Sequence, residues 1–193
     1  MDPGGLLSAA RGDWEAALLA GWCRATAVHR ATSWTWPLWE RCVRMPRDAD
    51  GEMAWEVALS FANLLPQTSV AAALERLPPD GEMGFRLAAT LKAIPAPWAS
   101  DLSDAFLEGL RKRLGGFEVY GQACRSEDPW SLTLPRAATS LHPESLEGAT
   151  GLKELMGGWI GKGNHIMLQW ERDLTWFEET LELRRRIVKE IPL

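Results

Sequence analysis

The stretch best placed to do chemistry is MGGWIGKGNH, residues 156–165. Clustered glycines before a lysine suggest a phosphate cradle, in which backbone N–H groups wrap the anion. A P-loop needs Gly, four residues, then Gly-Lys-Ser/Thr after a buried strand. Here three residues separate Gly157 from Gly161, and Gly163 stands where the magnesium-binding hydroxyl belongs. The preceding segment is helical in pattern. The stretch therefore reads as a corner, with Gly157 left-handed at a helix end and Asn164 capping the next helix. A weak anion site near Lys162 is the alternative.

The metal-ligand types are Cys23, His29, Cys42, Cys124, His142 and His165. No pair has CxxC, HxxxH or HExxH spacing, so no metal site is expected. No cofactor motif is present either. There is no G-x-S-x-G elbow. Glu52/Glu56 and Glu178/Glu182 stand one turn apart, as on a solvated face. No catalytic residue is assigned. An enzyme with an unrecognised site stays an alternative, because triads assemble in space.

Charge and aromatic content offer binding instead. Basic clusters occur at 111–113 and 184–186. Both fall near predicted helix C-termini, where cations meet the helix dipole favourably. They would alternatively dock an acidic partner or a phosphate backbone, with Arg184 and Arg185 as candidate binding residues. Arg184 and Asp173 fall within an apolar helix face, eleven residues apart. Each needs a partner from another helix, either a buried ion pair or a polar group at a groove. SWTWPLW at 33–39 places Trp34, Trp36 and Trp39 so that they cannot share one helix face. They either pack between hairpins or present an aromatic hot spot.

The elements that must position these residues are helical throughout. With 193 residues, 46% hydrophobic and 24% charged, the chain has the profile of a globular domain able to bury a core without staples. Net charge of −5 disfavours non-specific nucleic-acid binding. Three dispersed cysteines do not form a disulfide framework, and a reducing cytoplasm is the expected home. No signal peptide or membrane-spanning run is read, so no membrane role is expected.

The first helical pattern is GDWEAALLAGWCRATAVHR, capped by Asp13, followed by TSWTWPLWERCVRMP. Asp-Gly-Glu-Met then occurs at Asp50 and again at Asp80, with matching apolar residues behind each copy and a second helix after it. A helical hairpin recurring after thirty residues reads as a HEAT-type α-solenoid. A third pair follows, DPWSLTLPRAATSLHP and ESLEGATGLKELMGG. Asp128 caps the first, Pro129 opens it, and Pro135 is expected to kink or split it. Residues 115–128 form an irregular loop, the expected place for a functional excursion. The last helix runs from about His165 to Glu190. Ile166, Trp170, Leu174, Phe177, Leu181 and Val188 share one side, and Trp176, Leu183 and Ile187 are expected to widen it onto further neighbours.

GDWEAALLAGWCRAT, APWASDLSDAFLEGLRKRL and the C-terminal block LPRAATSLHPESL…GGW…QWERDLTWFEETLELRRRIVKEI together resemble a bacterial helical-repeat family of unknown function. The likeness covers most of the chain. It implies HEAT-type repeats without an assigned activity. It also implies a scaffold or adaptor near MoxR-type ATPases, von Willebrand A-type proteins and SWIM zinc-finger proteins, hence a partner in an ATPase-containing assembly. The expectation is one domain over 1–193, an all-α right-handed solenoid of about ten helices with a long C-terminal capping helix. The expected function is protein–protein interaction, with nucleic-acid binding through the basic helix ends as the alternative.

Overall fold

A computed structural model of the chain describes residues 21, 32–44, 49–60, 62–76, 81–115, 128–159 and 165–190. Every regular element among them is helical. In chain order they are α1 (Thr32–Val43), α2 (Ala49–Ser60), a 3-10 turn at Ala62–Leu64, α3 (Gln67–Arg76), α4 (Gly81–Ala93), α5 (Ser100–Gly115), α6 (Pro129–Ser140), 3-10 segments Pro143–Ala149 and Lys153–Trp159, and α7 (His165–Glu190). Contacts group the chain into two units, Met1–Ser69 and Val70–Leu193. The helix expected at 14–28 lies outside the described residues except for Gly21, and so does most of the 115–128 loop.

In the first unit α1 packs on α2, and both meet the Ala62–Leu64 turn. Trp36 and Trp39 are one helical step apart and stack, with ring centroids at 5.0 Å and planes at 23°. Trp39, Cys42, Trp55, Ala58, Ala62 and Leu65 are buried. Pro37 lies inside α1. Both Asp-Gly-Glu-Met copies open helices, α2 and α4.

The second unit is organised around α6. Asp128 caps it as expected: Oδ1 accepts the Trp130 N–H at 2.9 Å, and Pro129 occupies the first turn. The other carboxylate oxygen does different work. It accepts Arg113 Nε at 2.9 Å and Nη2 at 2.6 Å, with the two side chains only 7% and 4% exposed. The end of α5 is thereby pinned to the start of α6.

α6 lies between α4 and α7, and both 3-10 segments are gripped between α5 and α7. Its Trp130 continues an aromatic cluster. Phe106 of α5 is 5.4 Å from Trp130 and 5.5 Å from Trp98, edge-on to the latter. Leu102, Leu107, Leu110, Leu134, Leu141 and Leu146 of the same unit are buried as well. Polar bonds fix the far end of α6. Ser140 O accepts the Trp98 N–H at 2.6 Å, and Ser103 Oγ accepts the His142 N–H at 2.8 Å.

Several expectations change. α6 runs unbroken through Pro135, which faces solvent, so the proline does not split the helix. The segment after it is two 3-10 stretches instead of one α-helix, and the second kinks at Gly157, whose φ of +52 and ψ of −136 are not helical. Gly151, at φ +68, turns the chain between them, and such a φ cannot continue a right-handed helix. Val188, Trp176, Leu183 and Ile187 are exposed, so α7 buries one narrow side only.

A Cβ at Gly109 would lie 2.3 Å from the Trp130 ring. Gly109→Ala is therefore expected to destabilise the fold by about 1–3 kcal/mol. A lowered urea midpoint checks this, and an unchanged one refutes the close approach. Arg113→Ala leaves the Asp128 carboxylate buried with its ion pair removed. It is expected to cost about 3–5 kcal/mol by the same measurement.

Candidate interaction surface

α7 presents two contrasting sides. Inward, Trp170, Leu174, Phe177 and Leu181 recur at helical spacing and are buried. Around them, polar side chains serve backbone groups of neighbouring segments. Glu178 accepts the N–H groups of Leu152 and Lys153 at 2.7 and 3.1 Å, capping the second 3-10 segment from outside. Asp173 accepts Ser131 Oγ at 3.1 Å. Lys153 Nζ donates to Thr175 Oγ1 at 3.1 Å and pairs with Glu171 at 3.4 Å.

Arg184 meets the same need at the other polarity. It donates to the carbonyls of Ala138 and Leu141, both at 2.8 Å. These lie at the C-terminal end of α6, where the last carbonyls have no intrahelical donor. Arg184 thus bonds backbone carbonyls, and not the carboxylate that one of its two sequence readings, a buried ion pair, required. Burial lowers its guanidinium pKa. Arg185 donates to Leu146 O at 3.0 Å and to Glu182 at 2.8 Å, and Arg186 reaches Glu182 at 3.2 Å. Hydrogen bonds from Arg185 and then Arg186 hold the Glu182 carboxyl below its ordinary range.

The other basic cluster is engaged in the same way. Arg111 donates to Gly148 O, Lys112 pairs with Glu108 at 3.5 Å, and Arg113 is committed to Asp128. Lys189 stands 3.6 Å from Glu147. A phosphate backbone would have to compete with each of these bonds.

The outward side of α7 carries Trp176, Leu183 and Ile187, exposed at 46%, 59% and 47%. At about 100° per residue they fall within about 40° of one another. Thr180 lies between them, its hydroxyl turned back to Trp176 O at 2.8 Å. The stripe extends over about 16 Å at 1.5 Å per residue. Beside it an open groove of about 430 Å³ runs between α7 and residues 149–151, with Leu183 on its wall. Glu179 on its wall is exposed, but Glu178 caps backbone and Glu182 sits between two guanidiniums. A carboxylate held ionised in this way is a poor proton donor. Among the described residues no cluster of His, Cys, Asp and Glu could hold a metal ion.

Of the residues singled out from sequence, Trp39 is core at 2% exposure, and Trp36 is half-buried against it. The side chain of Trp34 lies outside the described part, as do Cys23, His29, Cys124 and residues 160–164. Arg184 and Arg185 come together at the junction of α7 with the end of α6 and the Pro143–Ala149 segment. Sequence reasoning missed the Trp176–Leu183–Ile187 stripe by assigning it to the core. The usable signal was charge: Arg172, Glu179, Arg186 and Glu190 accompany it along one edge.

A family model described as "Family of unknown function (DUF5691)" matches residues 1–191, and the chain belongs to that family. Comparison with curated proteins and with solved structures returned no match. Among the described residues no helix is long and apolar enough to cross a membrane.

Replacing Arg184 by Ala removes two bonds to the end of α6. A loss of about 1–3 kcal/mol is expected, because the carbonyls of Ala138 and Leu141 lose their donor. Thermal and urea denaturation measure it. An unchanged stability would show that the capping contributes nothing.

Proposed function

We propose that this member of a family without an assigned function is a protein-interaction scaffold or adaptor with no catalytic activity of its own. The observation that carries this is the outward stripe of α7. A tryptophan, a leucine and an isoleucine lie in line on a helix whose opposite side is firmly bonded to its own unit. Aligned exposed apolar residues on a rigid element are what a partner buries, and tryptophan is enriched among residues that dominate binding energy. Because the inner side is already anchored, docking would require little reordering of the helix, which limits the entropic cost of binding.

The finer architecture belongs to the same proposal: HEAT-like helix pairs in a right-handed solenoid closed by α7. Two observations support it. Both copies of Asp-Gly-Glu-Met open a helix that is followed by another. α4 also takes α6, two helices on, as its chief neighbour, as first helices of consecutive repeats do. The partner class implied by the family resemblance is an ATPase-containing assembly. Nucleic acid is the weaker reading, since both basic clusters are bonded to carbonyls and carboxylates of the protein itself.

Leu183→Glu places a charge in the middle of the stripe at a solvent-exposed position. The melting temperature is expected to stay within about 2 °C, since surface substitutions cost little. Recovery of protein partners on the immobilised chain should fall at least about ten-fold, as loss of a contact worth over 1.4 kcal/mol requires. Full recovery on the folded variant would move the docking surface elsewhere.

A further inference from the structure

We propose that the outward side of α7 binds a second copy of this chain, α7 against α7, antiparallel about a twofold axis near residue 182. This rests on reading that side as a docking surface and names its occupant.

The argument is one of charge order. Arg172, Glu179, Arg186 and Glu190 fall within about 40° of one another along one edge of the stripe. All are exposed. Arg172, Glu179 and Glu190 have no ion pair with another described residue, and Arg186 has an exposed pair with Glu182 one turn back on its own helix. Read from the N-terminal end, the signs are plus, minus, plus, minus. When two helices pack face to face and antiparallel, a given edge meets the same edge of its partner, running the other way. Reversed, the order is minus, plus, minus, plus. Arg172 then stands opposite Glu190 of the second copy, and Glu179 opposite its Arg186. The first pair centres on residue 181 and the second between 182 and 183, so a register near 182 leaves each pair about 2 Å from exact opposition, within reach of these long side chains.

The same register centres the apolar residues. Trp176 of one copy falls opposite Ile187 of the other, and the two Leu183 side chains flank the axis. Antiparallel helices also oppose their dipoles favourably. A parallel pair would bring this edge against the opposite edge instead, where Thr180, Asp173 and the committed Arg184 lie. It would leave the four charges without complements.

Sedimentation equilibrium of the full chain over about 1–100 µM, near physiological ionic strength, tests the proposal. The wild type is expected to dimerise. Leu183→Glu should raise the dissociation constant about 100-fold, the size of a central hot-spot loss, with its circular dichroism unchanged. Arg172→Glu and Glu190→Arg should each weaken the dimer about five-fold, as for exposed ion pairs. The double variant carrying both changes should restore it, because the pair is re-formed with reversed signs. Restoration is specific to the antiparallel register, since misfolding would not be rescued.

A wild type that stays monomeric throughout the range overturns the proposal. So does a dimer that Leu183→Glu leaves intact, or a double variant no stronger than the singles. The docking reading is judged separately. If the chain is monomeric but retains a different protein that Leu183→Glu releases, only the identity of the occupant fails. If Leu183→Glu changes neither self-association nor capture, the docking reading fails as well.

Discussion

Carbonyl groups at helix C-termini must find donors, and in this protein arginines from neighbouring segments supply them. A helix leaves its last four carbonyls without intrahelical partners. Arg136 donates to Ile94 O just past α4, at 2.6 Å. Arg184 serves the end of α6, while Arg185 and Arg111 converge on the Pro143–Ala149 segment from α7 and α5. Each bond is charge-assisted, and each joins two elements that the apolar core also joins. Because a guanidinium has a fixed planar fork, such bonds set angle as well as distance. The short 3-10 segments depend on this most. Beyond the burial of Ser145, Leu146, Ala149 and Met156, they are held by Arg111, Arg185 and Glu178 reaching in from both flanking helices.

This economy explains why so conspicuous a set of basic residues does not form a basic surface. Most of the arginines in the two clusters are spent inward. What remains outside is Lys112, Arg186 and Lys189, each beside a glutamate. The outer side of α7 is consequently defined by apolar residues with a mixed-sign edge. Its neighbourhood is held firmly, because Glu178, Arg184 and Arg185, within two turns of the helix, bond to separate parts of the unit.

How much of this could be read from sequence depended on the type of signal. α7 was legible end to end, because twenty-six residues of sustained helical period end before Pro192. The start of α6 was legible because Asp128-Pro129 is a strong local cap. The 3-10 segments were not. ESLEGATGLKELMGG keeps helical spacing of its leucines, and only the backbone reveals that Gly151 breaks the run. Arg184 announced that it needed a partner, but periodicity says nothing about whether that partner is a carboxylate or a carbonyl. Arg113 gave even less away: a basic residue near a helix end looks the same whether it faces water or Asp128. The Trp176 stripe was misassigned for a related reason. Apolar periodicity marks faces that can be buried, and a helix with two such faces does not say which one has a neighbour in its own chain.

The Arg113–Asp128 pair has a consequence for how the chain can change over time. It closes the ends of the intervening segment onto each other at a single point inside the protein. Whatever lies between is excused from maintaining the spacing of α5 and α6. Lengthening a loop costs only about 0.6 kcal/mol per doubling, so extra chain after Gly115 would weaken this tie little, whereas Leu114, fully buried beside Arg113, belongs to the core. The spacing of α5 and α6 is thereby set by one buried ion pair and not by the length of chain that joins them.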